Sequence, residues 1–232
     1  MANTLITAQG GAVDKIYRHD GFSSTVDNSI SAPSSGPGDV AVRSNDVIVS
    51  DWDAEEKIYQ LTGFTSTVRN SVAAADDSVF GVNWDGTNLL EVDVLDDRFM
   101  RLSGFGTSVT SSYVGQRYNN YALGWDGTNA LSGTSGGTSK KFHKYSGFTS
   151  SVSSSVSYPS TYNVRADAWQ HDSNDAIFWI STGSTNVMQR MNGFSSTVEA
   201  SFASESQYAF WGDPTVSPSG GATSTLSLLG VG

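Results

Sequence analysis

Along the whole chain, short runs in which apolar residues alternate with Ser, Thr or charged residues are cut by Gly, Asp or Asn after a few positions. This period of two predicts β-strands throughout. One arrangement of the runs recurs five times. The motif Gly-Phe-(Ser/Thr/Gly)-(Ser/Thr)-(Ser/Thr)-Val occurs at Gly21 to Val26, Gly63 to Val68, Gly104 to Val109, Gly147 to Val152 and Gly193 to Val198, at spacings of 42, 41, 43 and 46 residues. Each Val is followed four positions later by an apolar residue, Ile30, Val72, Tyr113, Val156 or Phe202, and the even spacing predicts that both lie on one face of a strand. The segments KIYRHDGF, KIYQLTGF, RFMRLSGF, KFHKYSGF and VMQRMNGF, each reaching into the Gly-Phe pair, read as a third strand and its turn into this fourth one.

Roughly twenty residues after each Gly, a further run ends in Trp84, Trp125, Trp169 or Trp211, with Arg43 in that place in the first such run. Turn signals follow, explicit as Asp85-Gly86-Thr87-Asn88 and Asp126-Gly127-Thr128-Asn129, and then a short apolar strand such as DVIVS or NLLEVDV. Four strands in about forty residues are the dimensions of a propeller blade, and helical repeats do not fit such Gly-, Thr- and Val-rich segments. The predicted fold is all-β: a five-bladed β-propeller with four antiparallel strands per blade. Residues 3 to 9 align with a second strand, whereas residues 207 to 211 form a first strand with no second after it. The fifth blade is therefore expected to close from one C-terminal and three N-terminal strands, which removes two exposed edges. The ring is assigned to residues 1–212. Residues 213–232 read as a linker or tail, in which Leu226, Leu228 and Leu229 could dock on a larger assembly.

Composition narrows the function. With 23 acidic and 13 basic residues the chain carries a formal charge of −10, so its field repels phosphate backbones, and no nucleic-acid partner is expected. No apolar run approaches the ~20 residues of a bilayer span, and the N-terminus MANTLITAQGG lacks the basic and apolar regions of a Sec signal. No membrane insertion is expected. Cysteine is absent, which excludes disulfides, thiolate metal sites and a thiol nucleophile.

On the propeller disc the first-to-second and third-to-fourth turns share one face, and their Gly-Phe and Trp positions recur almost unchanged. The second-to-third and fourth-to-first loops share the other face and diverge in length and chemistry, so binding is expected there. The ligand-binding candidates on that face are Tyr113, Arg117, Tyr118, Asn120, Tyr121, Tyr158, Tyr162 and Tyr208. Tyr rings can cover a pyranose face while amides bond its hydroxyls. The recurring Trp residues and the Gly-Phe phenylalanines are expected to pack between blades instead. Eleven of the 23 acidic residues lie between Asp51 and Asp97. Asp51, Asp53 and Glu55 could offer oxygens to Ca²⁺, but they lack the glycine and spacing of an EF-hand loop, and a solvated acidic patch is the expected reading. Neither a metal nor a cofactor is expected.

For catalysis the sequence offers little. His19, His143 and His171 lie apart, and neither a phosphate loop nor a Gly-x-Ser-x-Gly elbow is present. A propeller glycosidase needs paired carboxylates on inner strands, where only Asp39 and Asp167 lie near. The expectation is a non-enzymatic protein. The blocks DKIYRHDGFSSTVDNSI and KIYQLTGFTSTVRNSV, with the WDGTN turns, resemble the blades of bacteriophage-encoded propeller repeat proteins, which are often virion- or tail-associated. The resemblance covers the ring and not the tail. It implies a virion or extracellular location and a role as adhesin or decoration, with other virion proteins or a host-surface glycan as partners. The blade count also matches tachylectin-type lectins, so a soluble carbohydrate-binding lectin is the alternative, and a glycosidase-like propeller is the third.

Overall fold

The alternating runs form strands, and among the described residues no helix interrupts them. The computed structural model describes residues 4–10, 13–53, 55–116, 120–121, 123–134, 140–157, 163–169, 176–181, 186–204 and 208–212, with 163–169, 176–181, 186 and 208–212 described through their backbone. The assigned tail, 213–232, lies outside them.

The strands make five four-stranded antiparallel sheets in a propeller-like arrangement. The first sheet joins β1 (Thr4–Gln9), β2 (Lys15–His19) and β3 (Val26–Ser31) to β20 (Tyr208–Gly212), in the order β20-β1-β2-β3. The second holds β4 (Pro37–Arg43), β5 (Asp46–Asp51), β6 (Lys57–Leu61) and β7 (Val68–Ala73), and the third β8 (Val79–Trp84), β9 (Leu89–Asp93), β10 (Arg98–Leu102) and β11 (Val109–Val114). The fourth holds β12 (Gly124–Trp125), β13 (Ala130–Gly133), β14 (Lys141–Tyr145) and β15 (Val152–Ser157), and the fifth β16 (Asn163–Trp169), β17 (Ala176–Ser181), β18 (Asn186–Met191) and β19 (Val198–Ala203). The first strands of successive sheets neighbour one another: β20 lies by β4, β4 by β8, β8 by β12, β12 by β16, and β16 by β20 again. The closing pair runs from Thr4↔Gly212 to Ala8↔Tyr208, as the terminal segments predict.

Alternation also explains the core. Each strand sends successive side chains to opposite faces, and both faces of the inner strands are covered. In the second sheet Val40, Val42, Val47, Val49, Tyr59 and Leu61 pack toward the first sheet's Ile6, Ala8 and Ile16. The residues between them, Ala41, Ile48 and Ile58, pack toward Val79, Val82, Trp84 and Leu89 of the third. Each fully buried Val, Leu or Ile contributes about 1.5–3 kcal/mol, so the stability resides in the seams between sheets. The fourth strands stand mostly in solvent.

In these fourth strands the structure corrects the predicted side-chain facing. The ladder shifts by one residue in every sheet, between Arg18/His19, Gln60/Leu61, Arg101/Leu102, Lys144/Tyr145 and Arg190/Met191. Val26 thus pairs with His19 while Ile30 pairs with Ile16, three residues back on a five-residue strand, which places the two on opposite faces. A bulge inserts one residue and inverts the parity of the strand beyond it. The five Val residues are accordingly 38 to 47% exposed, whereas Ile30 and Val72 pack into the seams.

The turns explain why the Gly-Phe motif recurs. Each motif Gly has φ between 56 and 66°, a region closed to most L-residues. The turn is shut by a bond such as Asp20 N to Thr25 O at 2.9 Å or Ser103 N to Ser108 O at 2.9 Å. The phenylalanines reach the preceding sheet, Phe64 in the first seam, Phe105 in the second and Phe148 in the third. Third-strand arginines cover them: Arg18 lies 5.3 Å from Phe64, Arg101 4.7 Å from Phe148 and Arg190 5.5 Å from Phe22. The last of these joins the fifth sheet to the first. Trp84 and Trp125 are buried in the same seams, while the side chains of Trp169 and Trp211 lie outside the described residues. Register corrects the place of Arg43 as well. Val47 pairs with Val42 as Leu89 pairs with Trp84, so Val42 holds the Trp position and Arg43 stands one residue beyond it.

Candidate functional site

The most developed feature on the variable face is a row of aromatic rings carried by three sheets. Trp52 follows β5, Phe80 lies on β8 and Tyr121 precedes β12. The Trp52 and Phe80 rings stack at 5.0 Å with an interplanar angle of 23°, and Tyr121 meets Phe80 edge-on at 5.3 Å and 86°. Phe80 and Tyr121 belong to the seam core, but Trp52 is 43% exposed. One face of the indole is seated and the other meets solvent.

Local sequence explains the seat. A Cβ on Gly38 would stand 2.7 Å from Ser50 Oγ, 3.1 Å from Phe80 O and 3.5 Å from Trp52 Cδ1, and one on Gly36 would stand 2.6 Å from Asp53 Cβ. Glycine at 36 and 38 therefore lets the Trp52 loop lie down on the neighbouring strand. The Trp52 N–H donates to Gly36 O at 3.2 Å. Ser50 Oγ donates to Phe80 O at 2.6 Å and accepts from Asp39 N at 2.8 Å, tying the second sheet to the third beneath the ring pair.

Carboxylates surround this platform. Asp51 Oδ1 accepts from Asp53 N at 3.0 Å, and its Oδ2 is buried without a partner. Asp53 is exposed. Glu55 accepts from Tyr59 Oη at 2.7 Å and Lys57 Nζ at 2.8 Å, and the bond from Lys57 holds its carboxyl below the usual range. Among the described residues no three His, Asp or Glu side chains assemble into a cation site, Asp51, Asp53 and Glu55 included. Deeper in the second seam, Glu91 accepts from Ala75 N at 2.8 Å through Oε1 while Oε2 has no partner, and burial pushes its carboxyl up to about 8. Burial likewise pushes the His143 imidazole down to about 4.

The sequence-derived candidates divide. Tyr113 stacks on Phe99 at 4.9 Å and 2°, with the edge of Phe148 at 5.0 Å, so its ring serves the third seam. Asn120 is wholly buried: its N and Nδ2 donate to Asp97 Oδ1 at 3.0 and 2.9 Å, and its Oδ1 accepts from Ser132 Oγ at 2.8 Å. Tyr121 joins the aromatic row. Arg117, Tyr118, Tyr158 and Tyr162 lie outside the described residues, and Tyr208 is described only through its backbone. The Asp39 carboxylate accepts from backbone amides, Oδ1 from Val40 N at 2.8 Å and Oδ2 from Val82 N at 3.1 Å. Trp52 was not among the candidates. Its signal was an aromatic residue in a divergent acidic loop, DWDAEE, preceded fourteen residues earlier by a Gly-Pro-Gly segment.

Exposed indole beside carboxylate acceptors can hold a ring with an apolar face and a hydroxylated edge. No family model matches the sequence, and no curated protein matches it either. Solved structures do resemble the fold. A chain described as Kuenenia stuttgartiensis hydrazine synthase aligns with a TM-score of 0.53 at 11% identity, over 80% of this chain and 61% of that one. A chain from a crystal structure of the mitotic checkpoint complex aligns with a TM-score of 0.53 at 14% identity, over 90% of this chain and 65% of that one. This chain thus spans less than two thirds of either neighbour, and at such identities the likeness is one of architecture. The protein has a β-propeller-like fold.

Proposed function

We propose that the chain is a closed five-bladed β-propeller that binds a glycan without transforming it, and that it does so on the surface of a phage particle as adhesin or decoration. The observation that carries the binding reading is Trp52, stacked on Phe80 and exposed on its other face. An indole in that setting covers the apolar face of a sugar ring, with the exposed Asp53 beside it to accept from a hydroxyl. Trp52 lies on the face where the blades diverge, which supports recognition there rather than scaffolding alone. The bonding of both Asp39 oxygens to backbone amides supports the non-catalytic side of the reading. The virion location rests on the resemblance of the GFSSTV and WDGTN blocks to phage-encoded repeats. A soluble lectin would use the same site and differ in attachment.

A glycan array with the purified chain and Trp52→Ala, in the presence and absence of Ca²⁺, tests the proposal. Specific glycan binding that falls at least tenfold in the variant supports it. Binding unchanged in Trp52→Ala would remove the site, and binding to no glycan would leave a structural role in its place.

A further inference from the structure

The second sheet departs from its neighbours on the otherwise constant face. In the third and fourth sheets the first strand ends in Trp84 or Trp125, and the third-strand cation meets the aspartate of the adjoining turn, Arg101 with Asp85 at 3.0 Å and Lys144 with Asp126 at 2.6 Å. In the second sheet Val42 replaces the Trp, the turn of the same length, Arg43-Ser44-Asn45-Asp46, has Arg43 where the others have the aspartate, and Gln60 stands in the cation's place. Arg43 fills the missing role from another direction, with its guanidinium 4.3 Å from the Trp84 ring. Beside it, on the side of the sheet that faces the third, lies a cleft of about 430 Å³ lined by Arg43, Ser44, Asp46, Gln60, Arg69 and Asn70.

The hydrogen-bond ledger of this cleft is one-sided. Asp46 accepts from Gln60 Nε2 at 2.6 Å and Gly63 N at 2.9 Å and pairs with Arg69 Nε at 3.3 Å. Gln60 Oε1 accepts from Arg43 Nη1 at 3.2 Å, and Asn70 Oδ1 accepts from Ser71 N at 2.9 Å. The acceptors are engaged inside the protein. The donors left facing the cleft are the terminal nitrogens of Arg69, the remaining edge of Arg43, the Asn70 amide and the Ser44 hydroxyl. Two guanidiniums against one carboxylate give the cleft a single positive charge on a chain of net charge −10.

We infer that this cleft binds an acidic sugar residue through its carboxylate. A planar guanidinium fork matches a carboxylate, and Arg43 is already held flat between Trp84 and Gln60, so little freedom is lost on binding. Asn70 and Ser44 supply donors for ring hydroxyls. The volume falls in the range of about 300–1,000 Å³ usual for small-molecule sites, and one net positive charge suits a monoanion. The site lies on the opposite face from Trp52 and does not depend on it.

Calorimetric titration with methyl glucuronide, methyl glucoside and methyl sulfate tests this on the full chain and on Arg69→Gln and Asn70→Asp. Arg69 is 55% exposed at its side chain and Asn70 is exposed, so both variants spare the core. Saturable binding of the glucuronide, absent for the glucoside, weaker for the sulfate, and about tenfold or more weaker in both variants, is the expected result. No saturation with glucuronide, equal response to glucoside or sulfate, or full binding by Arg69→Gln overturns it. Trp52→Ala leaves glucuronide binding intact, so this site and the glycan site on the other face fail or stand separately.

Discussion

Replacing Glu91 by glutamine should flatten the pH dependence of stability across the neutral range. Glu91 is wholly buried in the second seam, with one oxygen bonded to Ala75 N and the other without a partner. Burial raises its carboxyl from 4.5 to about 8, and the nearby Asp76 and Asp93 carboxylates add to the rise. The unfolded chain therefore releases this proton near pH 4.5, whereas the folded protein keeps it until about pH 8. Stability falls with rising pH between those values, by at most about 1.4 kcal/mol per unit. Over the window the full displacement corresponds to about 4–5 kcal/mol, and with relaxation around the charge we expect a loss of about 2–4 kcal/mol. Glu91→Gln keeps the acceptor for Ala75 N and cannot ionise. Urea unfolding from pH 5 to pH 9 should show the two proteins within about 1 kcal/mol at pH 5 and the variant more stable by about 2–4 kcal/mol at pH 9. The difference between the proteins isolates this residue from other groups that titrate in the range. Parallel stability curves over the whole window would refute the reasoning.

At the acid end the sign reverses for His143, whose folded value near 4 lies below the ordinary 6.5. Its contribution is complete above pH 6.5 and is lost as pH falls toward 4, so in His143→Gln the urea midpoint should fall less steeply between pH 6.5 and 4.5 than in the parent. Two glycines should separate strain from crowding. Gly104 has φ of 59° and open space around a built Cβ, so Gly104→Ala should cost about 1–2 kcal/mol by denaturant titration. A Cβ on Gly115 would lie 2.4 Å from Phe99 Cε2, and Gly115→Ala should cost about 1–3 kcal/mol and alter the near-ultraviolet dichroism of the stacked Phe99 and Tyr113 rings. Arg190→Gln removes the cation over Phe22 at the closing seam and should speed unfolding, with a stability loss of about 0.5–1 kcal/mol.

The sheets were legible because each is built from local hairpins whose turn residues are written in the chain. Gly at positive φ, Asp-Gly-Thr-Asn and alternating Val and Ile specify turn and strand without distant information. Closure by β20 was legible for the same reason, since three strands of a blade at one end and one strand at the other complete each other. The bulge was not legible from the Val-to-apolar spacing, because an inserted residue changes facing without changing composition. Tyr113 shows a signal present but underused. It stands in register with Ile30, Val72 and Phe202, which marks it as a seam residue. Trp52 depends on Gly38 of its own sheet and Phe80 of the next, a coincidence of three separated segments that no local pattern encodes.

The pairing of β20 with β1 also sets an order of events during synthesis. Strands β1 to β3 are made before the other strands of the ring, and their sheet lacks its innermost member until residues 208–212 follow. Through most of translation the edge of β1, with Leu5, Ile6 and Ala8, is a vacancy that any suitable strand can fill. Pairing with the β20 of another chain would give an interlocked dimer, and size-exclusion chromatography of material made at rising expression level is expected to show its share increase.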